Sequence, residues 1–211
     1  IRPDAYPNRL IALTDSGAYE YVLENRSWKT LFEKHNREDD AVLSFAILPG
    51  DPDHLFIGTR SGLFESFDAG KIWHPFSGFT HEPIHLLRCS DSHLYVGTNR
   101  KLFRSQNLTN FQEIFFLSAG TGEELAEEAG DIPAEEPENI QTPPALYDFI
   151  LDSSEPRETL WIATNQGVFE SRDSGKSWQR LPLHGLRSPE IRHLVYSPAL
   201  HQLWSGTSRG V

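Results

Sequence analysis

The sequence predicts an all-β fold in which one antiparallel, four-stranded sheet is repeated along the chain. Three observations predict it. Five apolar runs of strand length each end in threonine: Leu10–Thr14, Leu55–Thr59, Leu94–Thr98, Leu160–Thr164 and Leu203–Thr207. Successive threonines are 45, 39, 66 and 43 residues apart, and all but the third step lie near the repeat of about 40–50 residues that one such sheet requires. Two hairpins, Ser66-Phe-Asp68-Ala-Gly70-Lys-Ile-Trp73 and Ser171-Arg-Asp173-Ser-Gly175-Lys-Ser-Trp178, agree at Ser, Asp, Gly, Lys and Trp with identical spacing.

The elements of one repeat follow in order. A first strand is expected over 42–48, 84–89, 146–151 and 191–196, where apolar residues fill strand-length windows. Polar or proline-containing turns such as Pro49-Gly-Asp-Pro52 lead into the second strand, the threonine-terminated run. Tight turns come next: Asp15-Ser-Gly17, Arg60-Ser-Gly62, Asn99-Arg-Lys101, Asn165-Gln-Gly167 and Ser208-Arg-Gly210. Four of the five place a glycine three residues after the threonine, where a tight hairpin calls for positive φ. The third strand begins at Ala18-Tyr19, Leu63-Phe64, Leu102-Phe103 and Val168-Phe169, and the fourth follows the hairpin motif. Tyr21 to Trp28 and Ser105 to Phe111 occupy the motif position in degenerate form.

The chemistry of the motif explains its composition. The Asp carboxylate can accept backbone N–H groups of its own turn, as Asx-turns do. Glycine supplies the unusual backbone angle, and the tryptophan is expected to cover the turn as an apolar lid. Ser66, Asp68, Gly70, Trp73, Ser171, Asp173, Gly175 and Trp178 are therefore read as structural. Trp28 is read as a third lid, whereas Trp161 and Trp204 lie on second strands and are expected between sheets.

Ser-x-Asp-x-Gly-x-x-Trp resembles the Asp-box (BNR-type) repeats of sialidases, sortilin-type receptors, xyloglucanases and the photosystem II assembly factor family. The resemblance runs along nearly the whole chain. It implies a β-propeller of four-stranded antiparallel blades with Asp-box hairpins at the blade periphery, away from any ligand site. About five blades are represented, the first and last incomplete. The expected blade segments are 1–40, 41–80, 81–117, 145–185 and 186–211 of a single partial propeller. An acidic insertion, 118–144, accounts for the long third step. It carries eight acidic residues between Glu123 and Glu138, and Glu123–Glu128 suits a turn or two of helix. The chain opens Ile1-Arg2-Pro3 and has no methionine, which suggests a processed or excised piece of a longer protein with a ring of about six to eight blades.

Composition narrows the function. A net charge of −11 argues against a general nucleic-acid binder, which needs basic surface to displace counterions. No run approaches the roughly 18 apolar residues of a membrane-spanning helix. The single cysteine, Cys89, excludes an intrachain disulfide and a cysteine-based zinc cluster. No cofactor is called for.

Aligning the first strands on their second strands brings Ser44, His85, Asp148 and His193 to one position, as candidate lining of a central channel. Ser, His and Asp could form a nucleophilic triad, or two imidazoles and a carboxylate a metal site. Residues on successive blades approach the axis from different directions, so a polar channel wall is the reading adopted, with no catalytic residue and no metal ligand assigned. The sialidase resemblance stops short of activity. Arg2 is followed directly by Pro3, no Arg-Ile-Pro occurs, and the family's tyrosine–glutamate pair has no counterpart. Xyloglucanases work with two aspartates across a cleft, whereas Asp15, Asp53, Asp91 and Asp152 fall in or near turns. Arg60, Arg100 and Arg209 fall at or next to one turn position and form a candidate partner-binding rim, the composition of protein hot spots. The photosystem II assembly relatives imply partner binding through an arginine-rich face. The expected function is a non-catalytic protein-interaction or assembly scaffold outside the cytoplasm. A glycoside hydrolase or a ligand- or metal-binding channel is the alternative, and carbohydrate is a possible but unsupported ligand.

Overall fold

The computed structural model describes residues 9–33, 41–91, 93–119, 143–154, 158–186 and 188–207, and every helix or strand among them is a strand. The strands form five antiparallel sheets, each in sequence order. The first has three strands, β1 (Leu10–Thr14), β2 (Gly17–Val22) and β3 (Ser27–Glu33). The second has four: β4 (Val42–Ile47), β5 (Leu55–Thr59), β6 (Gly62–Ser66) and β7 (His74–Thr80). The third has β8 (Leu86–Cys89), β9 (Leu94–Gly97), β10 (Lys101–Gln106) and β11 (Asn110–Phe116). The fourth has β12 (Leu146–Asp152), β13 (Thr159–Thr164), β14 (Gly167–Ser171) and the short β15 (Gln179–Arg180). The fifth has two, β16 (Ile191–Ser197) and β17 (Gln202–Thr207). The chain divides into two compact units, Ile1–Thr98 with Leu102–Gln112, and Asn99–Lys101 with Glu113–Val211. Most of the acidic insertion, with its expected helical turn, lies outside the described residues.

The threonine-terminated strands make the same hairpin three times. Thr14, Thr59 and Thr164 each donate Oγ1 to the carbonyl of the glycine three residues on. Each also accepts the N–H two residues on. The hydroxyl thus closes the turn and satisfies a donor that the ladder leaves over. At Gly62 the constraint is also one of space. A Cβ there would stand 2.1 Å from the Phe79 carbonyl oxygen, and φ is +141°.

Packing between sheets follows strand alternation, in which successive side chains point to opposite faces. In the first unit, Ile11, Ala18 and Leu31 of the first sheet bury against Val42, Phe45, Ile47, Leu55 and Ile57 of the second. The opposite face of the second sheet, with Ala46, Phe56 and Leu63, buries against Ile84, Leu87, Leu94 and Val96. In the second unit, Trp161, Ala163 and Val168 of the fourth sheet bury against Ile191 and Leu194 of the fifth. The middle residue of one second strand therefore meets the flanking residues of the next.

The Ser-x-Asp-x-Gly-x-x-Trp hairpins have one geometry in both units. Asp68 Oδ1 accepts from the N–H groups of Lys71 and Ile72 at 2.9 Å each, and Asp173 Oδ1 from those of Lys176 and Ser177 at 2.9 Å each. Ser66 Oγ and Ser171 Oγ donate to the same carboxylates at 2.8 Å and accept the N–H of Gly70 and Gly175. Two successive residues take the left-handed conformation, Ala69 and Gly70 in one hairpin and Ser174 and Gly175 in the other. The tryptophan also reaches beyond its own turn. Trp73 Nε1 donates to Leu31 O at 2.8 Å, on the last strand of the preceding sheet, and Trp178 Nε1 donates to Ile114 O at 2.7 Å. Their rings meet Phe32 and Phe115 edge-on. A buried indole carries an N–H that needs an acceptor, and the preceding sheet supplies it. Glycine serves the same contact, because a Cβ on Gly175 would come within 2.6 Å of Ile114 Cδ1.

Trp178→Phe keeps most of the ring and removes the indole N–H. It should lower unfolding free energy by about 1 kcal/mol, the net worth of a hydrogen bond, as read by urea denaturation. The aspartates give a pH dependence. The Ser177 hydroxyl, then the Ser177 N–H, holds the Asp173 carboxyl well below the usual range. The Ile72 N–H, then the Ser66 hydroxyl, lowers Asp68. A folded-state value below the unfolded one contributes stability in full above about pH 4 and loses it as the pH falls through the folded value. The stability gap between the native chain and Asp173→Asn should therefore be wider at pH 6 than at pH 3.

Candidate functional site

The first strand of a sheet enters beside the threonine turn of the second, and three first strands carry a bulge there. Pairing runs Val42 to Thr59 and then Ser44 to Gly58, so Leu43 is the extra residue. Leu146 to Thr164 and Asp148 to Ala163 leave Tyr147 extra, and Ile191 to Thr207 and His193 to Gly206 leave Arg192. A bulge adds a residue to one strand and re-aims its neighbours. Ser44, Asp148 and His193 thus occupy equivalent positions, as the alignment expected.

His85 does not join them. β8 begins at Leu86, which pairs with Gly97, so Leu86 holds the equivalent position and His85 lies just ahead of the strand, its N–H donated to Gly97 O. A sequence signal for this position exists in the residue before each threonine. It is Gly58, Gly97, Ala163 and Gly206, all small. A Cβ on Gly58 would stand 2.2 Å from Ser44 Oγ, and one on Gly97 2.7 Å from Leu86 Cβ. In the first sheet, which has no such first strand among the described residues, Leu13 takes that place.

The polar groups at this position are committed to the backbone. In the first unit, buried Ser44 donates Oγ to Ile84 O at 2.8 Å. In the second unit, Asp148 Oδ1 accepts from Phe149 N–H at 2.8 Å and Oδ2 from Leu194 N–H at 3.0 Å. His193 is exposed. A nucleophilic serine has to give its proton to a base, whereas the Ser44 proton is held by a peptide carbonyl. Among the described residues no three His, Cys, Asp or Glu side chains group so as to hold a metal ion. Cys89 packs beside the core between the second and third sheets, and burial pushes its thiol up to about 12, so it is a poor nucleophile at neutral pH.

In the second unit the bulges and turns build a surface of arginine and aromatic side chains. Arg100 donates Nε and Nη2 to Leu117 O at 3.2 and 3.1 Å and lies 4.9 Å from the centroid of half-exposed Phe116. Lys101 Nζ stands 5.8 Å from the same ring and pairs with Glu113 at 2.9 Å. Arg192 lies 5.2 Å from the Tyr147 ring, and both reach Glu190 Oε1, Arg192 from 2.7 Å and the Tyr147 hydroxyl from 3.1 Å. Burial, then the Glu190 carboxylate, pushes the Tyr147 phenol above its ordinary value, so it remains a neutral donor. Tyr147, Glu190 and Arg192 escape a search for aligned polar residues, because the bulge puts Tyr147 and Arg192 one position before the aligned pair.

Neighbouring side chains fasten both ends of the acidic insertion. Gln166 Nε2 donates to Ser118 O at 2.8 Å, and Asn165 donates Nδ2 to Pro143 O and accepts Ala145 N–H, each at 3.0 Å. Of the three arginines expected on a rim, Arg100 belongs to this surface with its guanidinium already engaged. Arg60 is exposed on its turn in the first unit, and Arg209 lies outside the described residues. The first unit also has an open cleft of about 450 Å³, lined mainly by Phe32, Phe64, Ile72 and Trp73, with Glu33 and Lys71 among its walls.

The fold is that of a β-propeller. No protein-family model and no curated protein matches the chain. Among solved structures, an ancestral GH74 enzyme matches with a TM-score of 0.69 at 18% identity, over 94% of this chain and 25% of its own. The extracellular domain of a one-component system from B. thetaiotaomicron matches with 0.66 at 15% identity, over 96% and 25%. YCF48 from Cyanidioschyzon merolae matches with 0.52 at 16% identity, over 82% and 52%. Such identities speak to fold alone, and the chain spans about a quarter of the length of the first two.

Ser44→Ala should destabilise the chain by about 1–3 kcal/mol, because it orphans the buried Ile84 carbonyl. Exposed His193→Ala should change stability by no more than about 0.5 kcal/mol. Paired urea denaturation curves check both.

Proposed function

We propose that this chain is a non-catalytic interaction scaffold, working outside the cytoplasm, that engages a protein partner through arginine and aromatic side chains at one edge of its second unit. One observation carries the reading: the polar side chains at the strand position that could have held a catalyst, Ser44 and Asp148, are spent on backbone hydrogen bonds. The groups that remain presented are of another kind. Phe116 beside Arg100, and Arg192 over Tyr147, are the residue types that dominate protein–protein hot spots. The extracytoplasmic placement draws on the extracellular domain among the solved structures of the same fold.

The GH74 likeness favours a second reading, glycoside hydrolysis. That chemistry needs two carboxyl groups about 5–10 Å apart across one cleft. With its backbone bonds, Asp148 is a poor candidate for either, and the chain spans about a quarter of the ancestral GH74 enzyme.

The test compares the immobilised chain with its Phe116→Ala, Arg192→Ala variant as bait for an extract of the source organism. At least one protein held by the native chain should fall about tenfold or more on the variant, since removing a hot spot costs about 2 kcal/mol. Equal recovery on both baits would count against this edge. Hydrolysis of xyloglucan or a sialoside that Asp148→Asn abolishes would overturn the non-catalytic reading.

A further inference from the structure

Three of the third strands place a glutamate opposite the middle of the second strand. Glu20 pairs across to Ile11, Glu65 to Phe56 and Glu170 to Trp161. Two of these carboxylates are met by a guanidinium of the same chain. Arg9 donates Nε to Glu20 Oε1. Arg172 donates Nε to Glu170 Oε2 at 3.0 Å and Nη2 to Oε1 at 3.2 Å, and Trp161 Nε1 and Gln179 Nε2 complete the set at 3.1 and 2.8 Å. Glu65 lacks all three of those donor residues. Phe56 stands where Trp161 does, Phe67 where Arg172 does and His74 where Gln179 does. Among the described residues, the basic group in ion-pair reach of Glu65 is the His54 imidazole, whose Nε2 lies 3.6 Å from Oε2, too far for a hydrogen bond. The His54 side chain is nine-tenths buried, and this nitrogen has no hydrogen-bond partner. Its ring packs between those of Phe56 and Phe67, with centroids 4.6 and 4.5 Å away. Phe67 is 58% exposed and the Glu65 side chain 21%, so solvent reaches both.

We infer that Glu65 and Phe67 form a receptor for an arginine side chain of a protein partner. The guanidinium takes the place against Glu65 that Arg172 fills against Glu170. The occupant follows from charge and shape together. A guanidinium presents a planar fork of donors that matches a carboxylate, and its face stacks on an aromatic ring. Glu65 supplies the carboxylate and Phe67 the exposed ring, two residues along the chain. A lysine ammonium suits the pair less, because it has no face to lay on the ring. The two filled equivalents, Arg9 on Glu20 and Arg172 on Glu170, show the same preference within this chain. The receptor belongs to the first unit, and it does not depend on the arginine and aromatic edge of the second.

The probe is N-acetyl-arginine methylamide, titrated into the native chain while the His54 and Phe67 ring resonances are followed by NMR. Both should shift saturably, with a dissociation constant in the millimolar range that suits a single side chain. N-acetyl-lysine methylamide should bind more weakly, and free arginine no more tightly than its capped form. Glu65→Gln should weaken the arginine probe about tenfold or more, as loss of a charge-assisted hydrogen bond does. Phe67→Arg supplies the guanidinium from the chain itself, as Arg172 does in the fourth sheet. It should abolish the shift at His54 and raise the urea midpoint, and its exposed position keeps the test decisive should Glu65→Gln not fold. The proposal is overturned by any one of four results: no saturable shift at these rings, equal binding of the lysine probe, undiminished binding by either variant, or free arginine binding about tenfold tighter than the capped form, which would make the ligand a small molecule.

Discussion

Apolar side chains occupy both faces of these sheets, and the rest of the structure answers that constraint. Strand geometry sends Phe56 to one side and Leu55 and Ile57 to the other, and all three are fully buried. Leaving one such side chain in water forfeits about 1.5–3 kcal/mol. A single sheet cannot avoid that cost, and two stacked sheets still leave two outer faces wet. Stacking is the solution within each unit: in the first, the second sheet is covered by the first on one face and by the third on the other, and in the second unit the fourth sheet packs against the fifth. The small residue before Thr59, Thr98, Thr164 and Thr207 belongs to the same solution. It lets the first strand close over the second without a void or a clash.

Stacking by apolar contact alone is non-directional, and the hairpins supply direction. Each Ser-x-Asp-x-Gly-x-x-Trp turn is internally complete, with its carboxylate saturated by local donors. The turn is therefore a rigid mount for one indole N–H that points to the preceding sheet. Trp73 and Trp178 reach carbonyls on the strand farthest along that sheet, so each fixes the spacing of two sheets at their outer edges. Ser44 and Asp148 do the corresponding work at the first strands, one as a donor to a carbonyl and the other as an acceptor from an N–H. Side chains at equivalent positions thus link successive first strands by opposite chemistry.

The sequence exposed the parts of this that are local. Period-two apolar runs, glycine after threonine and the aspartate turn each depend on residues within a few positions of one another, and the strands fall where those signals lie. What depends on distant partners was not legible. The acceptors of the two indoles lie 42 and 64 residues away, so the tryptophans resembled lids over their own turns. The offset of His85 from Ser44, Asp148 and His193 arises from where β8 begins, and register is fixed only by the opposite strand. Arg100 reads from sequence as part of a candidate partner-binding rim, and the contacts of its guanidinium with Leu117 O and Phe116 lie beyond that reading. Tyr147 and Arg192 gave no signal, because a bulge residue belongs to neither face of the alternation.

The clamps at Ser118 and Pro143 have an evolutionary consequence. Gln166 and Asn165 hold both ends of the acidic segment, and Arg100 braces the residue before it. The entropy of closing a loop between fixed ends grows only slowly with its length, by about 0.6 kcal/mol per doubling. A change of length between two such fixed ends therefore costs the sheets little. The segment is a cassette, and selection can rewrite it without renegotiating the fold.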